Sequence, residues 1–171
     1  MLSVEAAVAA YAERLGEDVE LWSVAALLHD FDYERYPNPD RDETGHPYVG
    51  VEELRRRGYP EVVLQAIMGH ADYTGVERTT PLAKVLYACD EITGLITAAV
   101  LVRPDKDIAG LSIKSLKKKF KDKAFARGVG REDVVRGAEE LGVDLWEHVQ
   151  TVLEAMQARA AVLGLDGRAA N

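Results

Sequence analysis

An all-α fold is what this chain of 171 residues predicts. Three observations carry the expectation. Apolar residues recur at three- and four-residue spacing in almost every segment, the period of a helix with one buried face. No run alternates at period two for long enough to make a convincing strand. Gly, Pro and capping residues punctuate the chain at helical intervals, with no repeat and no low-complexity tract. A single domain over residues 1–171 follows, with 1–102 as its core and 103–171 as a C-terminal helical extension that carries a basic segment.

Val4, Val8, Tyr11 and Leu15 mark a first amphipathic helix that stops at Gly16. Asp18 can cap a second, LWSVAALL, that runs to His29. Residues 31–46 are rich in Pro, Asp and Gly and read as a loop. Pro47 suits the first residue of a third helix ending near Gly58, and Pro60 opens a fourth that reaches about His70. Thr80-Pro81 starts a long apolar helix to about Val102. A shorter helix in the basic segment has Ile113, Leu116 and Phe120 on one face, and two more span roughly 131–141 and 144–163.

Composition excludes several classes. Nearly half the residues are apolar, so the chain is globular rather than disordered. The longest uncharged apolar stretch, Ile92 to Val102, is too short to span a bilayer. The N-terminal residues lack a basic region and carry Glu5, so they do not read as a signal peptide, and a cytoplasmic location follows by default. Cys89 is the sole cysteine, which rules out a disulfide framework and a thiolate zinc cluster. The net charge of −8 argues against nucleic acid as a general partner. Residues 103–131 nevertheless hold ten basic and three acidic side chains, +7 against −15 for the remainder. Such a stretch is read in two ways, as the solvated face of an amphipathic helix or as a phosphate-binding patch, with Lys118, Lys121 and Arg127 as the candidates within it.

His29-Asp30 ends the apolar second helix. A carboxylate beside an apolar core is costly unless paired or coordinated, and imidazole is the commonest metal ligand among side chains. The pair has company. His46 precedes Pro47 at a helix entry, and His70 follows Gly69 at a helix exit. Ends of separate helices can converge on one metal centre. Asp90 lies in the long helix, on the flank of a stripe formed by Leu82, Val85, Leu86, Cys89, Ile92 and Ile96. Gly94, one turn on, leaves space beside its carboxylate, and an Asp so placed needs a cation or strong donors. His148, on the last helix, reads as partly buried or at the surface.

The ordered set His29-Asp30, His46, His70 and Asp90 in a helical chain resembles the HD superfamily of metal-dependent phosphohydrolases, and in particular small bacterial hydrolases of that type. The resemblance covers about residues 1–100. It implies a helical bundle, a metal held by His29, Asp30 and Asp90, and a second metal held by His46 and His70, with Asp30 bridging. The family pattern also has a histidine on the first helix, whereas no residue from Met1 to Asp18 is a histidine. Either the natural start lies upstream or this chain lacks one ligand, for which Glu5 is the nearest substitute. Gly58-Tyr59-Pro60 echoes the branch that cleaves cyclic dinucleotides, but the His-His-Glu that precedes it there is missing, and the letters read here as a helix stop and start.

The resemblance implies a metal-dependent phosphohydrolase acting on a small phosphorylated metabolite, with a nucleotide as the expected class. The alternative is a non-catalytic metal- or nucleotide-binding module with a degenerate site. Asp30 and Asp32 are the expected catalytic residues. Asp32 could orient a ligand or the attacking water, or could simply make a turn. Histidine with carboxylate suits a divalent transition metal, Fe or Mn first, with Zn, Co, Ni or Mg also compatible, as one or two ions. The alternative for His29, Asp30 and Asp90 is a hydrogen-bonded network at a helix junction. For His46 and His70 it is a helix cap and a solvated helix end. No membrane partner is expected. A homodimer is compatible with surfaces offered by Trp22, Trp146 and the last helix, which core burial would explain equally well.

Overall fold

The computed structural model describes residues 1–168. Among these the chain is all-α: nine α-helices, two short 3-10 turns and no strand. It forms two compact units, Met1–Tyr87 and Ala88–Asn171. Among the described residues no helix is long and apolar enough to cross a membrane.

In the first unit α1 spans Leu2–Leu15, α2 Val19–Leu28, α3 Tyr48–Arg56 and α4 Glu61–Gly69. α1 ends where Gly16 takes φ 71°, a left-handed value that glycine adopts without a Cβ penalty. Asp18 then caps α2, its Oδ1 accepting the Leu21 N–H at 3.0 Å. α1 packs along α2, and α4 against both α2 and α3. Val8, Trp22, Val51, Leu54, Leu64 and Ile67 are buried in this unit, each large side chain worth about 1.5–3 kcal/mol of burial. Trp22 is therefore core and offers no surface to a second copy. Pro47 is the N-cap of α3 rather than its first residue, and the His46-Pro47 peptide is cis.

α5, Pro81–Leu101, starts in the first unit and continues into the second. The Thr80 hydroxyl accepts the Ala83 N–H at 3.2 Å and caps it. The second unit continues with α6 Ile113–Lys121, α7 Arg131–Leu141, α8 Leu145–Ala158 and α9 Ala160–Leu163. Ser112 and Asp144 cap α6 and α8. The helix expected over 144–163 is broken in two at Arg159, where φ −110° and ψ 14° leave the helical region. No Gly or Pro signals the break. It turns the chain back so that the Leu165 carbonyl accepts the Ile108 N–H at 2.8 Å. Arg131 organises the loop before α7: its guanidinium donates to the carbonyls of Ala126 at 2.5 Å, Val129 at 2.9 Å and Phe125.

Two local expectations change. His148 is buried, with Nε2 2.9 Å from the Ala88 carbonyl oxygen, because α8 lays that face on the start of this unit's share of α5. Gly94 is exposed, and a Cβ there would meet only Val129 at an ordinary 3.7 Å, so it clears no space for Asp90.

Candidate metal centre

Two histidines of the first unit are presented by the same device. His29 is the C-cap of α2 and His70 the C-cap of α4. The last turn of a helix leaves carbonyls without intrahelical partners. Nδ1 of His29 lies 2.7 Å from the carbonyl oxygen of Ala26, three residues back, and Nδ1 of His70 contacts that of Ile67, also three back. A carbonyl only accepts, so in both rings Nδ1 carries a hydrogen and Nε2 is the atom turned forward. His46 reaches the same tautomer differently, with Nδ1 2.7 Å from Asp32 Oδ1.

The three Nε2 atoms converge on Asp30. His29 Nε2 lies 3.3 Å from Oδ2, His46 Nε2 3.3 Å from Oδ1 and His70 Nε2 3.6 Å from Oδ1. His46 and His70 bring their Nε2 atoms within 3.1 Å of each other. When both rings are neutral, with Nδ1 donating rearward, two lone pairs meet there, an arrangement that a shared cation relieves. Asp30, His46 and His70 each offer a ligand atom, all within 4.8 Å of one another, and so could hold a metal ion. Oxygen partners behind each ring are how metal-binding histidines are usually oriented.

Charge adds to the picture. Burial alone would raise the Asp30 carboxyl, but hydrogen bonds and charge from His29 and His70 outweigh it and hold the group well below the usual carboxylate range. Asp30 therefore stays ionised, as a ligand must. His29 and His46 are buried, with exposures of 1% and 4%.

Asp32 is also buried, at 4% exposure, and both its oxygens are engaged. Oδ1 holds His46, and Oδ2 accepts the Gly50 N–H at 2.7 Å. Of the two functional roles open to Asp32, this geometry favours orienting a ligand. Its carbonyl also takes the N–H groups of Arg35 and Tyr36, so it makes the local turn as well. His46 is neither a helix cap nor solvated, and the side chain of His70 is only 6% exposed. The loop that carries His46 is tied by Asn38, whose Nδ2 donates to the carbonyls of Asp42 at 2.6 Å and His46 at 2.7 Å. Tyr73 donates its hydroxyl to the same His46 carbonyl at 2.5 Å.

The other expected residues belong to the second unit. Asp90 is half-buried on α5, and its charge joins burial in raising the neighbouring Cys89 thiol and Glu91 carboxyl. Lys118, Lys121 and Arg127 are exposed. Lys121 and Arg127 border a cavity of about 500 Å³ together with Lys123 and Arg131, but Glu132 and Asp133 border it too. Sequence reasoning missed Gly50, Asn38, Tyr73 and the two helix-end carbonyls. The carbonyls had a signal, since a histidine just past a predicted helix can bond back into its last turn.

Comparison with known proteins gives three findings. A family model described as HD domain matches residues 1–95. Ribonuclease Y 2 of Levilactobacillus brevis is 37% identical over 86 residues, which is 50% of this chain and 15% of that protein. The chain thus spans about 15% of the length of that curated relative. No solved structure matches it.

Proposed function

The chain belongs to the HD domain family, and from that premise we propose that it is a metal-dependent phosphohydrolase acting on a small phosphorylated metabolite, most simply a nucleotide. The observation that carries the reading is the convergence of three imidazole Nε2 atoms on the ionised Asp30. Imidazole nitrogens and a carboxylate gathered at one point form a donor set that could hold a cation.

In this reading Asp30, His46 and His70 hold one divalent ion, and His29 and Asp30 contribute to a second. Asp90 lies inside the family-matched segment and is a proposed metal ligand on grounds of the resemblance alone. Nitrogen and carboxylate donors suit Fe or Mn, with Zn, Co, Ni and Mg as competitors. Bound divalent ions polarise a phosphoryl oxygen and make water a nucleophile near neutral pH. The chain's own part is positional. Ala26 and Ile67 carbonyls fix the His29 and His70 rings, and Asp32 fixes that of His46. Asp32 is thereby a positioning residue, since both its oxygens are engaged. Lys118, Lys121 and Arg127 remain proposed phosphate contacts on grounds of charge alone.

The test is metal analysis of the purified protein followed by a screen of phosphate esters, nucleotides included, with and without Mn²⁺ or Fe²⁺. The expected result is bound metal and metal-stimulated phosphate release that His46→Ala abolishes. Absence of both metal and stimulated turnover sinks the proposal. Bound metal with no turnover on any ester favours the binding-module reading.

A further inference from the structure

The turn after His29 shows an inverted pattern. Asp32 is buried, while Phe31, Tyr33 and Tyr36 are 40%, 54% and 37% exposed. Carboxylates normally face water and large rings normally avoid it, so polar-in, aromatic-out is the reverse of what burial favours. Local rules are broken in this way at sites of function.

Two of those rings, Phe31 and Tyr36, border a cavity of about 440 Å³ between the turn and α3. The volume falls within the range of small-molecule sites, roughly 300–1,000 Å³. Arg35, Arg56 and Arg57 border it as well, and so does Glu53. Glu53 is shared by Arg56 and by Arg57, whose Nε lies 2.6 Å away, so this part of the rim stays cationic. The Arg35 guanidinium stands 5.4 Å from the Tyr36 ring centroid. In a chain of net charge −8, three guanidinium groups beside two exposed rings are a local exception. None of His29, Asp30, His46 and His70 borders this cavity. Asp32, the residue that positions His46, does border it.

We propose that this cavity is a second ligand site and that it takes a nucleoside phosphate. Rings at Phe31 and Tyr36 supply stacking surface for a base, which is tolerant of base identity. Guanidinium groups supply forked donors for phosphate oxygens. A ring and an anion on one ligand match rings and cations on one rim. The same chemistry is offered by a free nucleotide and by the end of a single RNA strand. The site stands independently of turnover at the metal centre.

Calorimetric titration of the intact, EDTA-treated protein with adenosine 5′-monophosphate tests this, with inorganic phosphate and a short oligoadenylate as parallel probes. Saturable binding of the nucleotide is expected, weakened about tenfold or more by Phe31→Ala and by Arg35→Ala. Phe31→Tyr should retain it, which separates lost stacking from lost folding, and His70→Ala should leave it unchanged. Oligoadenylate binding more tightly than the mononucleotide supports the site and identifies a strand end as its source; the reverse order identifies a free nucleotide. No binding of either adenine probe, equal affinity for inorganic phosphate, or an affinity that Phe31→Ala leaves untouched overturns the proposal.

Discussion

Asp32 Oδ1 lies 2.7 Å from His46 Nδ1 while its other oxygen accepts the Gly50 N–H, so one buried carboxylate fixes both a candidate ligand and the first turns of α3. Removing the charge should therefore damage the centre without touching any metal-facing atom. We expect Asp32→Asn to weaken Mn²⁺ binding about 10- to 100-fold, the usual cost of losing such an orienting partner. Isothermal titration with Mn²⁺ measures it, and an unchanged affinity would show that His46 needs no such support.

Gly50 leaves room for that carboxylate. A Cβ at this position would lie 2.6–2.9 Å from the Asp32 carboxyl group, closer than real contacts allow. Gly50→Ala should destabilise the fold by about 1–3 kcal/mol through overpacking at a buried site. Its metal affinity should fall alongside that of Asp32→Asn. Thermal and denaturant melts of the variant provide the check; a melt superimposable on wild type contradicts the steric argument.

Metal loading should stabilise the protein by linkage. A ligand that binds only the folded state at a hundred times its dissociation constant adds about 2.7 kcal/mol. The melting temperature is expected to rise with added Mn²⁺ or Fe²⁺ and to fall with EDTA, and His46→Ala or His70→Ala should remove most of the effect. A shift that survives both substitutions would place the ion elsewhere.

His148 predicts an acid limb in stability that is separate from the metal centre. Burial lowers its pKa below the ordinary 6.5, against an opposing hydrogen bond to the Ala88 carbonyl. A depressed folded-state value means the unfolded chain binds the extra proton first. The stability contributed is complete above the unfolded value and is lost as pH falls from there through the folded one, with a slope of at most about 1.4 kcal/mol per pH unit. His148→Gln, which keeps a donor for the carbonyl, should flatten the decline between neutral and mildly acidic pH. Urea melts across that interval test it, and parallel slopes for the two proteins would contradict it.

Much of the scaffold was legible from local signals. Gly16, Asp18, Thr80, Ser112 and Asp144 end or begin their helices as their chemistry dictates, because a cap is a contact among near neighbours. The break at Arg159 was not legible, since it follows from the later pairing of Ile108 with Leu165. The same contrast holds at the candidate centre. His29 and His70 could be read as helix-end groups, and their rearward bonds span only three residues. The role of Asp32 could not, because its partners lie 14 and 18 residues away.

The sequence by itself determined that this chain is helical, where most helices start and stop, and which His and Asp residues make an ordered set. Those properties rest on period, capping and residue type, which act over a turn or two. Tertiary structure decided that His148 is core, that Gly94 shelters nothing, that Asp32 serves His46, and that Phe31 and Tyr36 stand in water beside three arginines. Each of those outcomes depends on which distant backbone arrives at the side chain, and only folding brings it there.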